Sequence, residues 1–167
     1  MAWKEIAPKE MAGNPMKMIA DEWMLVAAGG PDTCNMMTAS WGFVGEMWGK
    51  ECAITVIRPQ RYTLEFMEKE DFFTLSFYGD RKDIHKICGS QSGRDIDKVA
   101  ATGLTPVFAD GTVYFEEARL VLICKKLYVQ DLKEECFVDT GCLKWYPEKD
   151  YHRMFIGEIV KVLEKIQ

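Results

Sequence analysis

Short apolar runs rich in β-branched and aromatic residues, cut at close intervals by turn residues, constrain this chain more than any other feature. Cys52–Ile57 (CAITVI), Phe72–Phe77 (FFTLSF), Ala118–Gln130 (ARLVLICKKLYVQ) and Met154–Ile166 all read as strands. Glu22–Ala28 reads as a first strand and the stretch ending at Trp41 as a second, with the turn signal Gly29-Gly30-Pro31-Asp32 between them. Thr105–Phe108 and Val113–Phe115 flank Ala109-Asp110-Gly111-Thr112, whose Asp-Gly pair favours a tight turn. Hairpin-length connections make the sheet mainly antiparallel. A strand set of this number closes as a small barrel, which removes its edges.

Helical periodicity is confined to Thr63–Glu70, Asp80–Cys88 and Arg94–Ala101, the last ended by Gly103, and these segments cover one mouth or side of the barrel. The first dozen residues read as a loose arm with a helical turn near Pro8, and Met16–Ala20 as a short helical or turn segment. Gly42–Lys50 holds three glycines and reads as a mobile connection, and Asp131–Tyr146 is polar and irregular. With neither repeat nor linker, residues 1–167 read as one domain.

The bulk composition narrows the function. A net charge of −5 argues against non-specific nucleic-acid binding, which needs a basic footprint. No apolar run reaches the length of a membrane helix, and the N-terminus lacks a signal-peptide core, so the expected setting is cytoplasmic. Six cysteines form no C-x-x-C pair and only two histidines are present, so no metal site is expected and the thiols should be reduced.

Three segments carry polar groups that a core does not need. In Gly29–Trp41 the alternation puts Thr38 and Ser40 on one face, with Asn35 at the mouth, and Met37, Ala39 and Trp41 on the other. Arg58-Pro59-Gln60-Arg61-Tyr62-Thr63 sets two guanidinium groups where a strand ends and a helix begins, a setting that favours an anion. Cys88–Lys98 (CGSQSGRDIDK) is a Gly/Ser loop followed by Arg94 and Lys98, but it is neither a Walker loop nor G-x-G-x-x-G. His152 stands ahead of the last strand, able to donate to a ligand or carry a proton.

Taken in order, NMMTASWG (Asn35–Gly42), RPQRYT (Arg58–Thr63), FTLSF (Phe73–Phe77), CGSQSGRDIDK and DYHRMFIGEIV (Asp150–Val160) resemble the flavin reductase-like family, most closely its flavoredoxin-like members. The resemblance spans nearly the whole chain; the arm before Trp23 and the segment around Cys136–Lys144 are unmatched. It implies an FMN-binding split barrel, a six-stranded antiparallel Greek-key barrel working as a homodimer with non-covalent FMN near the interface. Electrons would come from NAD(P)H or a redox partner and pass to a flavin, a ferric complex or a protein acceptor. By the same resemblance Asn35, Met37, Thr38, Ala39, Ser40 and Trp41 would line the ring and ribityl chain. Arg58, Pro59, Arg61, Tyr62 and Thr63, with Ser90, Gln91, Ser92, Arg94 and Lys98, would supply phosphate and ribityl contacts, and His152 would be the catalytic residue. An FMN-holding electron carrier without NAD(P)H activity is the alternative.

Overall fold

Two apolar faces on the same strands organise the computed structural model, which describes residues 2–166. Ten strands form among them: β1 (Trp3–Ile6), β2 (Met24–Gly29), β3 (Cys34–Ala39), β4 (Gly42–Met47), β5 (Lys50–Ile57), β6 (Phe72–Phe77), β7 (Pro106–Ala109), β8 (Thr112–Phe115), β9 (Leu120–Asp131) and β10 (Arg153–Lys165). Four short helices accompany them: α1 (Pro15–Lys17), α2 (Thr63–Lys69), α3 (Lys82–Ser90) and α4 (Lys98–Thr102). The main sheet runs β3-β2-β6-β9-β10-β5-β4, with β1 added to the far end of β10 and β7-β8 as a separate hairpin. Every pairing is antiparallel. The architecture is the expected split-barrel class, with more strands than the six foreseen.

Alternation sorts the side chains. Met24, Val26 and Ala28 of β2, Leu120, Leu122 and Cys124 of β9, and Phe73, Leu75 and Phe77 of β6 point into one core, which α2 closes with Leu64, Phe66 and Met67. The intervening Leu25, Ala27, Val121 and Ile123 face outward beneath α3 and the β7-β8 hairpin, where Ile84, Cys88, Val113 and Phe115 cover them. Both faces are therefore apolar, which is why these strands read as continuous rather than alternating runs. Phe73, Phe77 and Phe155 are fully buried, each stabilising the fold by roughly 1.5–3 kcal/mol.

Strand β10 serves both halves of the barrel. Its first residues pair with β5 and its last with β1, while β9 runs along almost its whole length. Register shifts at Ile156/Gly157 and Ile159/Lys161 bend it between the two tasks.

Three segments depart from the sequence expectation. Gly42–Met47 is strand β4, not a mobile connection: it forms a hairpin with β5 around the turn at Trp48-Gly49. The N-terminal arm contributes β1, paired on β10, before a 3-10 turn at Pro8–Glu10. The helix expected from Arg94 starts only at Lys98, because Asp97 caps it by accepting from the Ala100 N–H, and it ends at Gly103 in the left-handed region.

Candidate functional site

The strand path through the main sheet ends at β3 and β4, and only Ser40 and Trp41 separate these two in the chain. No pairing joins the two strands among the described residues, so this gap is the split in the barrel. The backbone of β3 divides by parity. The Gly30 N–H donates to the Thr33 carbonyl, which starts the hairpin register and commits the backbone groups of Asn35, Met37 and Ala39 to β2. Met36 and Thr38 then present theirs to the open edge, and the Met36 carbonyl duly accepts from Lys98. The β2–β3 turn needs Gly29, where φ is +122° and a Cβ would lie 2.5 Å from the Cys34 Cα.

Against this edge lies a cleft of about 450 Å³. Eight of the residues singled out from sequence line it: Met37, Thr38, Ala39, Ser40 and Trp41 from the β3–β4 passage, Arg58 and Arg61 from the end of β5, and His152 from the start of β10. Segments far apart in the chain thus meet at one place. Val56 and Trp145 complete the lining and were not foreseen. Val56 sits in an ordinary strand. Trp145 belongs to a 3-10 segment, Thr140–Trp145, inside the stretch that carries no recognisable pattern.

The walls are aromatic. The Trp41 and Trp145 rings meet edge to face at 5.4 Å, and Trp41 leans on His152 at 5.1 Å. His152 is buried, its Nδ1 2.6 Å from the Tyr146 hydroxyl. Burial first, and then the nearby Arg58 guanidinium, push its pKa down to about 4, so the imidazole is neutral at pH 7. Arg58 pairs with Asp150 at 2.9 Å, donates to the Trp145 carbonyl at 2.9 Å, and lies over the Tyr146 ring. It thereby clips the unpatterned segment onto the cleft. Arg61 donates to the Cys88 and Gly89 carbonyls, both at 2.9 Å, and has no carboxylate partner among the described residues.

The remaining sequence-derived residues do not line the cleft. Asn35 shares the inward face with Met37 and Ala39 rather than standing with Thr38. It is buried, and its Nδ2 donates to the Thr63 hydroxyl at 2.9 Å. The Thr38 hydroxyl is also engaged, donating to the His85 carbonyl at 3.1 Å and lying 3.0 Å from His85 Nδ1, so its backbone rather than its side chain faces the open edge. Trp41 does not anchor the strand; it follows the strand end and stands 37% exposed at the cleft. Tyr62 packs on Phe66 beneath the Arg94 guanidinium, which pairs with Glu65. Pro59, Ser90 and Gln91 are exposed, and Ser92 accepts from the Arg94 N–H in a local turn. Lys98 is the largest departure. Its ammonium points inward to the Met36 and Cys88 carbonyls, at 2.8 and 3.3 Å, and is 4% exposed.

Comparison with known proteins places this geometry in context. The family model described as flavin reductase like domain matches residues 16–166. Among solved structures the chain is similar to flavoredoxin from Methanosarcina acetivorans, with 19% identity and a TM-score of 0.67 over 87% of this chain and 69% of that one. Flavoredoxin of Desulfovibrio vulgaris (Miyazaki F) is similar at 23% identity and a TM-score of 0.66, over 86% of this chain and 69% of the other. The FMN-binding protein from Thermus thermophilus with bound 1-cyclohex-2-enone shares 24% identity and a TM-score of 0.66, over 92% and 78%. At these identities the likeness speaks for the fold. No curated protein matches by sequence.

Proposed function

We propose, because this chain belongs to the flavin reductase-like family, that it is an FMN-dependent oxidoreductase moving electrons from NAD(P)H or a redox partner to a flavin, ferric or protein acceptor. The observation that carries this reading is the convergence of β3, the Arg58–Arg61 junction and His152 on a single cleft. Its volume lies in the range of cofactor sites. The donor set fits FMN: aromatic walls for a flat ring, open-edge amides for its carbonyl and nitrogen groups, and guanidinium groups for a phosphate. Bound there, FMN would supply the redox chemistry, which accounts for a site with no nucleophile–base pair.

The protein's own residues bind, orient and exclude water. The open-edge backbone of Thr38 and the aromatic walls of Trp41 and Trp145 would hold a flat ring, and Arg58 and Arg61 would hold the phosphate. His152, neutral and held by Tyr146, is positioned to donate or accept a hydrogen bond without adding charge. A homodimer fits the exposed apolar side chains of β4 and its turn, Phe43, Met47 and Trp48, on an unpaired sheet edge. A cytoplasmic setting goes with this reading; no helix among the described residues is long and apolar enough to cross a membrane.

Anaerobic mixing of FMN-loaded protein with NADH and with NADPH tests the assignment. At least one should bleach the flavin absorbance directly. Bleaching by dithionite alone would leave the electron-carrier reading, and protein that takes up no FMN at micromolar concentration would end both. A second expectation concerns Arg61. Arg61→Ala should weaken FMN by roughly 10- to 100-fold while changing riboflavin affinity much less, since the phosphate contact is charge-assisted. Equal losses for the two ligands in a titration would remove Arg61 from that role.

A further inference from the structure

Lys98, buried, and Arg61, half-buried at the cleft, stand side by side with no counter-charge among the described residues. Lys98 Nζ and an Arg61 amino group donate to the same acceptor, the Cys88 carbonyl oxygen, at 3.3 and 2.9 Å. Every other partner of the two side chains is also a backbone carbonyl, Met36 for Lys98 and Gly89 for Arg61. No carboxylate lies within ion-pairing distance of either among the described residues. Asp97, adjacent to Lys98 in sequence, is turned away to cap α4 through the Ala100 N–H at 3.1 Å. The thiol of Cys88 is the remaining titratable group beside them, and burial raises its pKa to about 11, so it brings no negative charge at pH 7.

An uncompensated buried cation is costly, and proteins retain one where an anion completes the arrangement. Here both cations stand at the open edge of β3: Arg61 lines the cleft, and Lys98 holds the Met36 carbonyl on that same edge, two residues before Thr38. Burial, with the Arg61 charge adding to it, already pulls the Lys98 pKa down to about 8 against the pull of Cys88, so this cation gains from any negative occupant.

We propose that Lys98 is a positioning residue whose charge acts through space to make the cleft bind reduced FMN more tightly than oxidised FMN, a role separate from the phosphate contact assigned to Arg61. The proposal rests on the flavin assignment above. Adding two electrons and one proton to the flavin ring, from a reduced nicotinamide or from dithionite, leaves one more negative charge on it, and charge near the ring is a principal lever on its electronics. Lys98 reaches no ligand itself; its position behind the strand holds the Met36 carbonyl and sustains the potential at the edge.

The test measures the affinity of oxidised and of dithionite-reduced FMN for the wild type, Lys98→Met and Lys98→Arg, with thermal unfolding as a check on folding. Lys98→Met should lower the reduced-to-oxidised affinity ratio roughly tenfold, whereas Lys98→Arg, which keeps the charge, should stay within about threefold of wild type. In the wild type the same ratio should fall as the pH rises from 7 to 9.5 and the ammonium loses its proton, which supplies the measurement even where Lys98→Met fails to fold. An unchanged ratio in Lys98→Met, equal losses in both variants, or a ratio flat across that pH range after allowance for the free flavin's own titration would overturn the proposal while leaving the flavin assignment standing. A wild type that binds neither form overturns both.

Discussion

Acidification from pH 7 to pH 4.5 is expected to lower the stability of the ligand-free protein by about 4 kcal/mol through its two histidines alone. His85 and His152 are both buried, and both have pKa values pushed down to about 4, chiefly by loss of hydration. Lys82 adds to the effect at His85 and Arg58 at His152, partly opposed by Glu22 and Asp83 in the first case and Asp150 in the second. The unfolded chain binds protons at these sites near pH 6.5 while the native chain does not. Stability therefore falls as pH drops through 6.5 and levels off only near 4, by about 2 kcal/mol per histidine. Glu22 is also shifted down: burial raises its pKa, but the Arg119 side chain and the Gly79 N–H more than offset this, so its stabilising contribution is lost only as pH falls from its ordinary value through the lowered one. Between pH 6.5 and 4.5 the histidines thus dominate. Urea unfolding at pH 7 and 4.5 should show the difference, and His85→Gln and His152→Gln should each flatten about half of it. A profile unchanged in both variants would mean that neither imidazole is held neutral by the fold.

His85 also marks the boundary of what the sequence makes legible. Phe72–Phe77 is readable because both its faces are buried, and Cys52–Ile57 because its β-branched residues suit a pleated backbone. Gly42–Met47 is not, since its glycines resemble a loop and its pairing with β5 is a tertiary fact. Trp3–Ile6 is a short, largely exposed strand that exists only because β10 overhangs the barrel. The cleft follows the same division. Arg58, Arg61 and His152 are visible as polar groups at strand ends, and they do converge. Strict alternation would have set Asn35 with Met37, yet its amide character suggested a ligand contact; its partner is Thr63, across the core. The direction of Lys98 depends on which carbonyls α3 leaves unpaired at its last turn, and spacing along the chain carries no trace of that. Trp145 reaches the cleft only because Arg58 holds its carbonyl, a contact spanning two segments of unrelated pattern.

Gly42→Ala should be among the most damaging single substitutions of a small residue in this chain, costing about 3 kcal/mol, or roughly 6–12 °C in Tm. A Cβ at Gly42 would stand 2.4 Å from the Ile54 carbonyl oxygen and 3.2 Å from the Met24 methyl. The methyl can move, but the carbonyl belongs to β5, which is held on its other side by β10. The strain must then fall on the Gly42–Thr55 pairing and on the residues just before it, Ser40 and Trp41, which form the wall of the cleft. FMN affinity should accordingly fall roughly tenfold alongside stability, a joint loss that a purely peripheral strand would not produce. Gly45→Ala provides the control on the same strand: nothing lies within 4 Å of its Cβ, so it should stay within about 0.5 kcal/mol of wild type and keep its FMN affinity. Should Gly42→Ala behave like Gly45→Ala in thermal unfolding and FMN titration, β4 does not lie against β5 in this register, and the split between β3 and β4 would have to be drawn elsewhere.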